Sequence, residues 1–227
     1  MKENTKGRLL AGKIILGLGL ILIAASLLLT LRNKLEDRRA GEASRDIRNE
    51  LTDAINNGIA VTIPAAFAAD SSEGAIQEGV FPVDPDLPNK FTPMDISLIQ
   101  GDRYIGILDV PDYELSLPVM ENWSYEKLKT APCRYSGSYK TGSLVICAHN
   151  YDHHFGPLRD APIGTELSFR AVDGKSYSYS VTKIETLEPH EVGYMTDVLG
   201  DWDLTLFTCT TGGKQRVAIR CQQTSSN

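Results

Sequence analysis

The chain has 227 residues, 42% of them hydrophobic and 23% charged, enough for one well-buried domain with an appendage. The composition shows neither the bias of a disordered chain nor that of a repeat protein. A formal net charge of -6 and a pI near 5.3 argue against a nucleic-acid binder, which would carry a basic patch, and none occurs beyond the N-terminal fifty residues.

Residues 14–31 are eighteen in a row without a charge. As a helix they reach about 27 Å, slightly short of the roughly 30 Å hydrocarbon core, and Leu9, Leu10 and a snorkelling Lys13 make up the difference. The run is longer than the apolar part of a cleaved signal peptide and no A-x-A site closes it, so the expectation is an uncleaved anchor. Lys2, Lys6, Arg8 and Lys13 precede it and Arg32, Lys34, Arg38 and Arg39 follow, so charge alone leaves its orientation open. A polar helix is expected over 36–57, with Ile47, Leu51, Ala54 and Ile55 as a sparse stripe and Asn57-Gly58 as its stop. Residues 59–90 lose all periodicity and read as a linker or covering segment, with D-P-D at 84–86.

From residue 104 the pattern is that of strands. Residues 104–110 are rich in Ile and Val; 115–120 contain Pro118, which confines that strand to an edge or a bend. Residues 124–129 suit a short helix. Residues 143–149 form an apolar strand, and 166–171 with 176–182 bracket Asp173-Gly174, a strong hairpin turn. Residues 204–208 and 216–221 flank a loop carrying Gly212 and Gly213, with Cys209 where the first of the two ends. Short strands at this spacing point to a closed, mostly antiparallel barrel or sandwich.

Alternation sorts the reactive residues. Leu144, Ile146 and Ala148 share one face of their strand, and Val145, Cys147 and His149 the other. Arg216, Ala218 and Arg220 share one face of the last strand, opposite Val217, Ile219 and Cys221. Cys209, His149 and Arg216 therefore stand at strand ends, a set suited to acyl transfer. Cys209 would attack a carbonyl, His149 would move protons to and from the amines, and Arg216 would stabilise the oxyanion or orient the substrate.

Rival readings are weaker. Arg220 lies farther from the loop than Arg216, and His153 or His154 would have no strand to fix them. Cys133 and Cys147 read as packed thiols and Cys221 as core; a nucleophile must stay free, which leaves an odd cysteine, and a chain of this size needs no disulfide staples. A zinc site from Cys133, Cys147, His149 and Cys221 lacks a C-x-x-C pair and would need an unfavoured C-x-H spacing. No metal or organic cofactor is expected.

The chain resembles the sortases of Gram-positive bacteria. T-L-F-T-C at 205–209 matches their TLxTC signature, and Arg216 falls where the family keeps its essential arginine. V-I-C-A-H-N at 145–150 followed by F-G-P-L at 155–158 resembles their catalytic histidine and the Phe-x-x-Leu after it, and Y-I-G-I-L-D-V-P at 104–111 resembles their first barrel strand. The S-x-G-C pattern of the L,D-type cysteine transpeptidases is absent, since Phe207 and Thr208 precede Cys209. The resemblance implies a mostly β fold, a closed eight-stranded sortase-type barrel with short helices, preceded by a transmembrane helix and a helical or linker segment. It implies a cysteine transpeptidase on the outer side of the membrane that cleaves a Leu-Pro-x-Thr-Gly-like sorting signal of secreted proteins after its Thr. A thioacyl enzyme would pass the protein to a cell-wall or pilin amine. Thr208 matches a family position that contacts substrate.

The implied organisation is a cytoplasmic tail over 1–13, a transmembrane anchor over 14–31, and a helical stalk and linker over 32–100 that could cover the cleft. A catalytic barrel over 101–223 and a polar tail over 224–227 complete it. The long helical segment and single anchor resemble class B enzymes. The D-P-D at 84–86 resembles the Asp-Pro-aromatic lid of the pilus-building class C, but the aromatic is missing and the chain ends at polar T-S-S-N. Protein anchoring is accordingly favoured over pilin polymerisation.

Overall fold

One helix, α1 (Glu3–Asn56), carries both the apolar run and the polar stretch expected after it. The computed structural model describes residues 3–58, 61–62, 94–196, 200 and 202–226. Two units are distinguished, Met1–Arg39 and Ala40–Asn227. In the first, the large apolar side chains from Ile15 to Leu31 are exposed, including Leu18, Leu22 and Leu28. Within the second, Ala40, Ser44, Ile47 and Leu51 recur at spacings of four, three and four and are buried, with Ala54 and Ile55 packed beside them. Ser44 Oγ donates to the Thr130 carbonyl at 2.7 Å. The helix stops as expected: Gly58, at φ +66°, donates its N–H to the Ile55 carbonyl.

The strands follow in order: β1 (Val61–Thr62), β2 (Asp95–Ile99), β3 (Asp102–Val110), β4 (Leu115–Met120), β5 (Cys133–Ser136) and β6 (Leu144–Cys147). After them come β7 (Glu166–Ala171), β8 (Ser176–Leu187), β9 (Leu204–Cys209) and β10 (Arg216–Ser226). Among the described residues, two single-turn α-helices lie between strands, α2 (Tyr125–Leu128) and α3 (Val192–Met195). The order β3-β4-β5-β6-β9-β10-β8-β7 closes where β7 pairs back onto β3, giving the expected eight-stranded barrel, to which β2 and then β1 are added. All pairings are antiparallel except β4 with β5 and β6 with β9. The sheet begins earlier than residue 101, since β2 pairs Ser97 with Tyr104. It also ends later than 223: β10 runs on because Ser225 and Ser226 find ladder partners in Ser178 and Tyr177. Apart from β1, the expected linker over 59–90, with residues 84–86, lies outside the described residues.

Two local features explain motif residues. At the seam, a Cβ on Gly106 would lie 2.4 Å from the Arg170 carbonyl oxygen, so β3 and β7 can approach only around a glycine. Pro118 is tolerated because β5 reaches β4 only at Met120, which leaves the stretch around Pro118 an edge on that side.

Both faces of the barrel wall are buried. Leu144, Ile146, Ala148, Leu204, Leu206, Val217, Ile219 and Cys221 fill the interior with Phe169 and Val181. On the outer face, Val145, Cys147, Phe207, Ala218 and Cys133 pack under Ile47 and Leu51 of α1 and Leu128 of α2. The alternation read along these strands is thus the alternation observed.

Candidate active site

The candidate site gathers at the ends of three neighbouring strands, β6, β9 and β10. β9 and β10 pair antiparallel with Cys209 directly opposite Arg216, an arrangement that brings Cβ atoms to about 4.5–5.5 Å of each other. β6 runs parallel to β9 with Cys147 beside Phe207, and the Ala148 N–H donates to the Phe207 carbonyl at 3.2 Å. His149 follows two residues after Cys147, past the end of β6. Cys209 ends β9 and Arg216 begins β10, on the face of the wall that Phe207 and Ala218 share.

The β9–β10 hairpin is closed by backbone bonds from Thr210 to the Gln215 carbonyl (3.0 Å) and from Gly213, at φ +70°, to the Thr210 carbonyl (2.8 Å). Arg216 is 1% exposed, and its Nη1 donates to the carbonyls of Gly213 and Gln215, each at 3.1 Å. Loop carbonyls thereby hold the guanidinium at the strand start. Cys209 is half-buried. Burial pushes its thiol above the ordinary value, and the Arg216 charge opposes that rise. Such a thiol needs a base to ionise it near neutral pH.

The histidine segment is wound into a compact loop and tied to the cysteine loop. Phe155 N–H donates to the His149 carbonyl (3.2 Å) and Gly156 N–H to that of Tyr151 (3.0 Å); a Cβ on Gly156 would stand 2.6 Å from the latter oxygen. Phe155 and Leu158 plug the interior core, which accounts for the F-G-P-L motif. Two side chains cross to the cysteine side, Asn150 Nδ2 to the Thr210 carbonyl (3.3 Å) and Arg159 Nη1 to Thr211 Oγ1 (2.7 Å), and one crosses back, Thr208 Oγ1 to the Ala148 carbonyl (2.9 Å). Thr208 is 1% exposed and faces the interior, opposite to Cys209, so its hydroxyl serves as a pin between β9 and the end of β6.

The rival residues stand elsewhere. His154 is wholly buried beside Tyr151, and His153 packs on α1, its ring 2.8 Å from where a Cβ on Gly41 would be. Arg220 is matched by Glu185 at 2.9 Å and donates to Thr205 Oγ1 (2.9 Å), to the Met195 carbonyl (3.0 Å) and to the Tyr194 carbonyl, with Trp202 stacked against it. The candidate zinc ligands are divided between the two faces of the wall, Cys221 inside and Cys133 and Cys147 outside. Burial pushes the Cys133 thiol up to about 12 and that of Cys147 well above its ordinary value, as suits packed thiols. Among the described residues no cluster of His, Cys, Asp or Glu could hold a metal ion.

Tyr125 is a neighbour that strand patterns do not reveal. Burial pushes its phenol up, the Arg216 charge lowers it and Cys209 raises it, so it stands within electrostatic reach of both. It starts α2, whose N-cap Ser124 accepts from the Lys127 N–H, and its ring meets Trp123 edge-on at 5.7 Å. Trp123 in turn leans on Tyr135, which meets Phe207 of β9 at 5.2 Å. The only hint in the sequence is aromatic residues around a capping serine.

The model of the sortase domain matches residues 108–224. Sortase A of Streptococcus agalactiae serotype III is 28% identical over 120 residues, covering 47% of this chain and 47% of that protein, so the chain spans about half the length of the curated relative it matches. Among solved structures, sortase C-3 of Streptococcus pneumoniae is similar with a TM-score of 0.52 and 18% identity, covering 84% of this chain and 91% of that one. Sortase C of Clostridium perfringens SM101 follows with a TM-score of 0.50 and 19% identity, over 79% of this chain and 90% of that one. These structures share the fold of the barrel described above, and the match over more than half of the chain, a range that includes His149, Cys209 and Arg216, makes this protein a member of the sortase family.

Proposed function

We propose that this protein is a membrane-anchored cysteine transpeptidase that cleaves a Leu-Pro-x-Thr-Gly-like sorting signal and joins the secreted protein to a cell-wall amine. The observation that carries the reading is the cross-strand pair of Cys209 and Arg216, with His149 two residues past the end of β6, the strand that runs parallel to β9. His149 takes the proton of Cys209, and the thiolate sulfur adds to the scissile carbonyl carbon. The oxyanion that forms is stabilised by Arg216. As the C–N bond breaks, His149 gives the proton to the departing amine and a thioester remains. The acceptor amine then loses a proton to His149 and displaces the thiolate. Because burial raises the Cys209 thiol, the imidazole has real work as the base in the first step.

The apolar, exposed stretch of α1 supports a single membrane pass, with residues 1–13 inside and the barrel outside, where sorting signals and wall amines are met. Residues 32–100 would then be the stalk and linker. No cofactor takes part. Incubating the soluble barrel with a panel of sorting peptides and weighing the intact protein tests the reading. We expect a thioacyl adduct on the wild type and none on Cys209→Ala, with transpeptidation down by at least about a thousandfold. An adduct on another residue, or activity in the variant, would overturn it. Competition between a wall-peptide amine and a pilin lysine in the second half-reaction separates anchoring from polymerisation.

A further inference from the structure

A general acid and base that serves both halves of a transfer must keep its ring plane fixed while its nitrogens change protonation. His149 lies beyond the end of β6, where ladder pairing no longer fixes it. Its ring stacks on that of Tyr151, centroids 4.7 Å apart and planes 29° from parallel. Tyr151 is itself backed by His154, at 5.5 Å and 36°, and His154 is wholly buried. Three rings thus run in series from His149 through Tyr151 to His154, the last of them wholly buried. A stack of this kind restrains the imidazole through its face rather than through its ring nitrogens. The electron-rich face of a tyrosine also tolerates the imidazolium that forms during the reaction.

We propose that Tyr151 is a positioning residue for His149, holding the imidazole at the angle both half-reactions require. The inference rests on the reading of His149 as the proton carrier. The loop's own scaffold is separable from the stack, because Tyr151 supports the loop through its carbonyl, which accepts from the N–H groups of His154 and Gly156, and side-chain substitution leaves that carbonyl in place. Tyr151 is only half-buried, which keeps the cost of substitution low.

The test compares the wild type with Tyr151→Leu, Tyr151→Phe and His149→Ala, reading kcat and KM for the donor peptide together with the melting temperature. We expect Tyr151→Leu to lower kcat by about tenfold or more with KM for the donor unchanged, since orientation is lost while binding is not. Tyr151→Phe, which keeps the ring, should restore wild-type kcat. Should the leucine variant melt below the assay temperature, Tyr151→Met replaces it with the same expected loss. Wild-type kcat in the folded leucine or methionine variant overturns the proposal, as does an equal loss in Tyr151→Phe, which would assign the effect to the hydroxyl. Activity retained in His149→Ala would instead remove the reading of His149 itself, whatever the tyrosine variants do.

Discussion

Arg216 and Arg220 sit four residues apart on one face of β10, both about 1% exposed, and differ in what holds them. Arg220 is matched by the Glu185 carboxylate, whereas carbonyl dipoles hold Arg216 and its charge acts on the Cys209 thiol. This difference can be read by alkylation. The pH midpoint for iodoacetamide modification of Cys209 should lie above the ordinary thiol range, because burial outweighs Arg216, and should rise further in Arg216→Gln. Arg216→Lys keeps a charge but not the planar fork, so it should hold the midpoint near wild type while transpeptidation falls about a hundredfold. A midpoint unmoved in Arg216→Gln would show that the guanidinium does not act on the thiol. The placing of the candidates Cys209 and Arg216 at strand ends is legible in the sequence because strand alternation and strand ends are local properties; His149 instead falls two residues past the end of its strand. The partners Tyr125 and Tyr151 are not legible, since one depends on where α2 lands and the other on how the loop winds between His149 and Phe155.

At the scale of elements, Arg220 joins parts that the chain keeps distant. Its guanidinium takes carbonyls of Tyr194 and Met195 from α3, a hydroxyl from β9 and a carboxylate from β8. Burial pushes the Glu185 carboxyl up, but hydrogen bonds and charge from Lys183 and Arg220 overcome it, and the group ends below its ordinary value. A carboxyl lowered by folding contributes stability above its unfolded pKa, near 4.3, and loses that contribution as the pH falls through the folded value. Arg220→Gln should therefore cost about 3 kcal/mol near neutrality, with a smaller difference from wild type below pH 4. Melting temperatures across pH 3 to 7 check this; a difference that stays constant into acid would remove Glu185 from the account. Of this cluster the sequence shows only that Arg220 is a strand-face residue, because its partners converge from three separate segments.

For the whole molecule, the barrel and its order of motifs are legible from residue 104 onward. The missed parts are β2, whose five residues need the β3 edge to be a strand at all, and the polar end of β10, which is ordered by its ladder with β8. The packing of α1 on the barrel is legible only as a sparse stripe, yet Ile47 and Leu51 are 5% and 0% exposed. A chain beginning at Ala40 should stay folded and soluble without detergent and keep its activity on soluble peptides. One beginning at residue 59 should melt about 10 °C lower, as burial of those side chains is lost. Equal melting temperatures in calorimetry would mean that the helix contributes nothing to the barrel.

The parallel pairing of β6 with β9 sets the moment at which the thiol becomes useful. Parallel neighbours require a long crossover, and here β7, β8 and α3 intervene, so Thr208 reaches Ala148 across 60 positions of chain. Contacts of such separation form slowly and late, after the intervening segment has closed its own loop entropy. Under the proposed mechanism, a partly folded chain thus carries Cys209 and Arg216 without the end of β6 beside them. Competence for transfer would then arrive together with barrel closure.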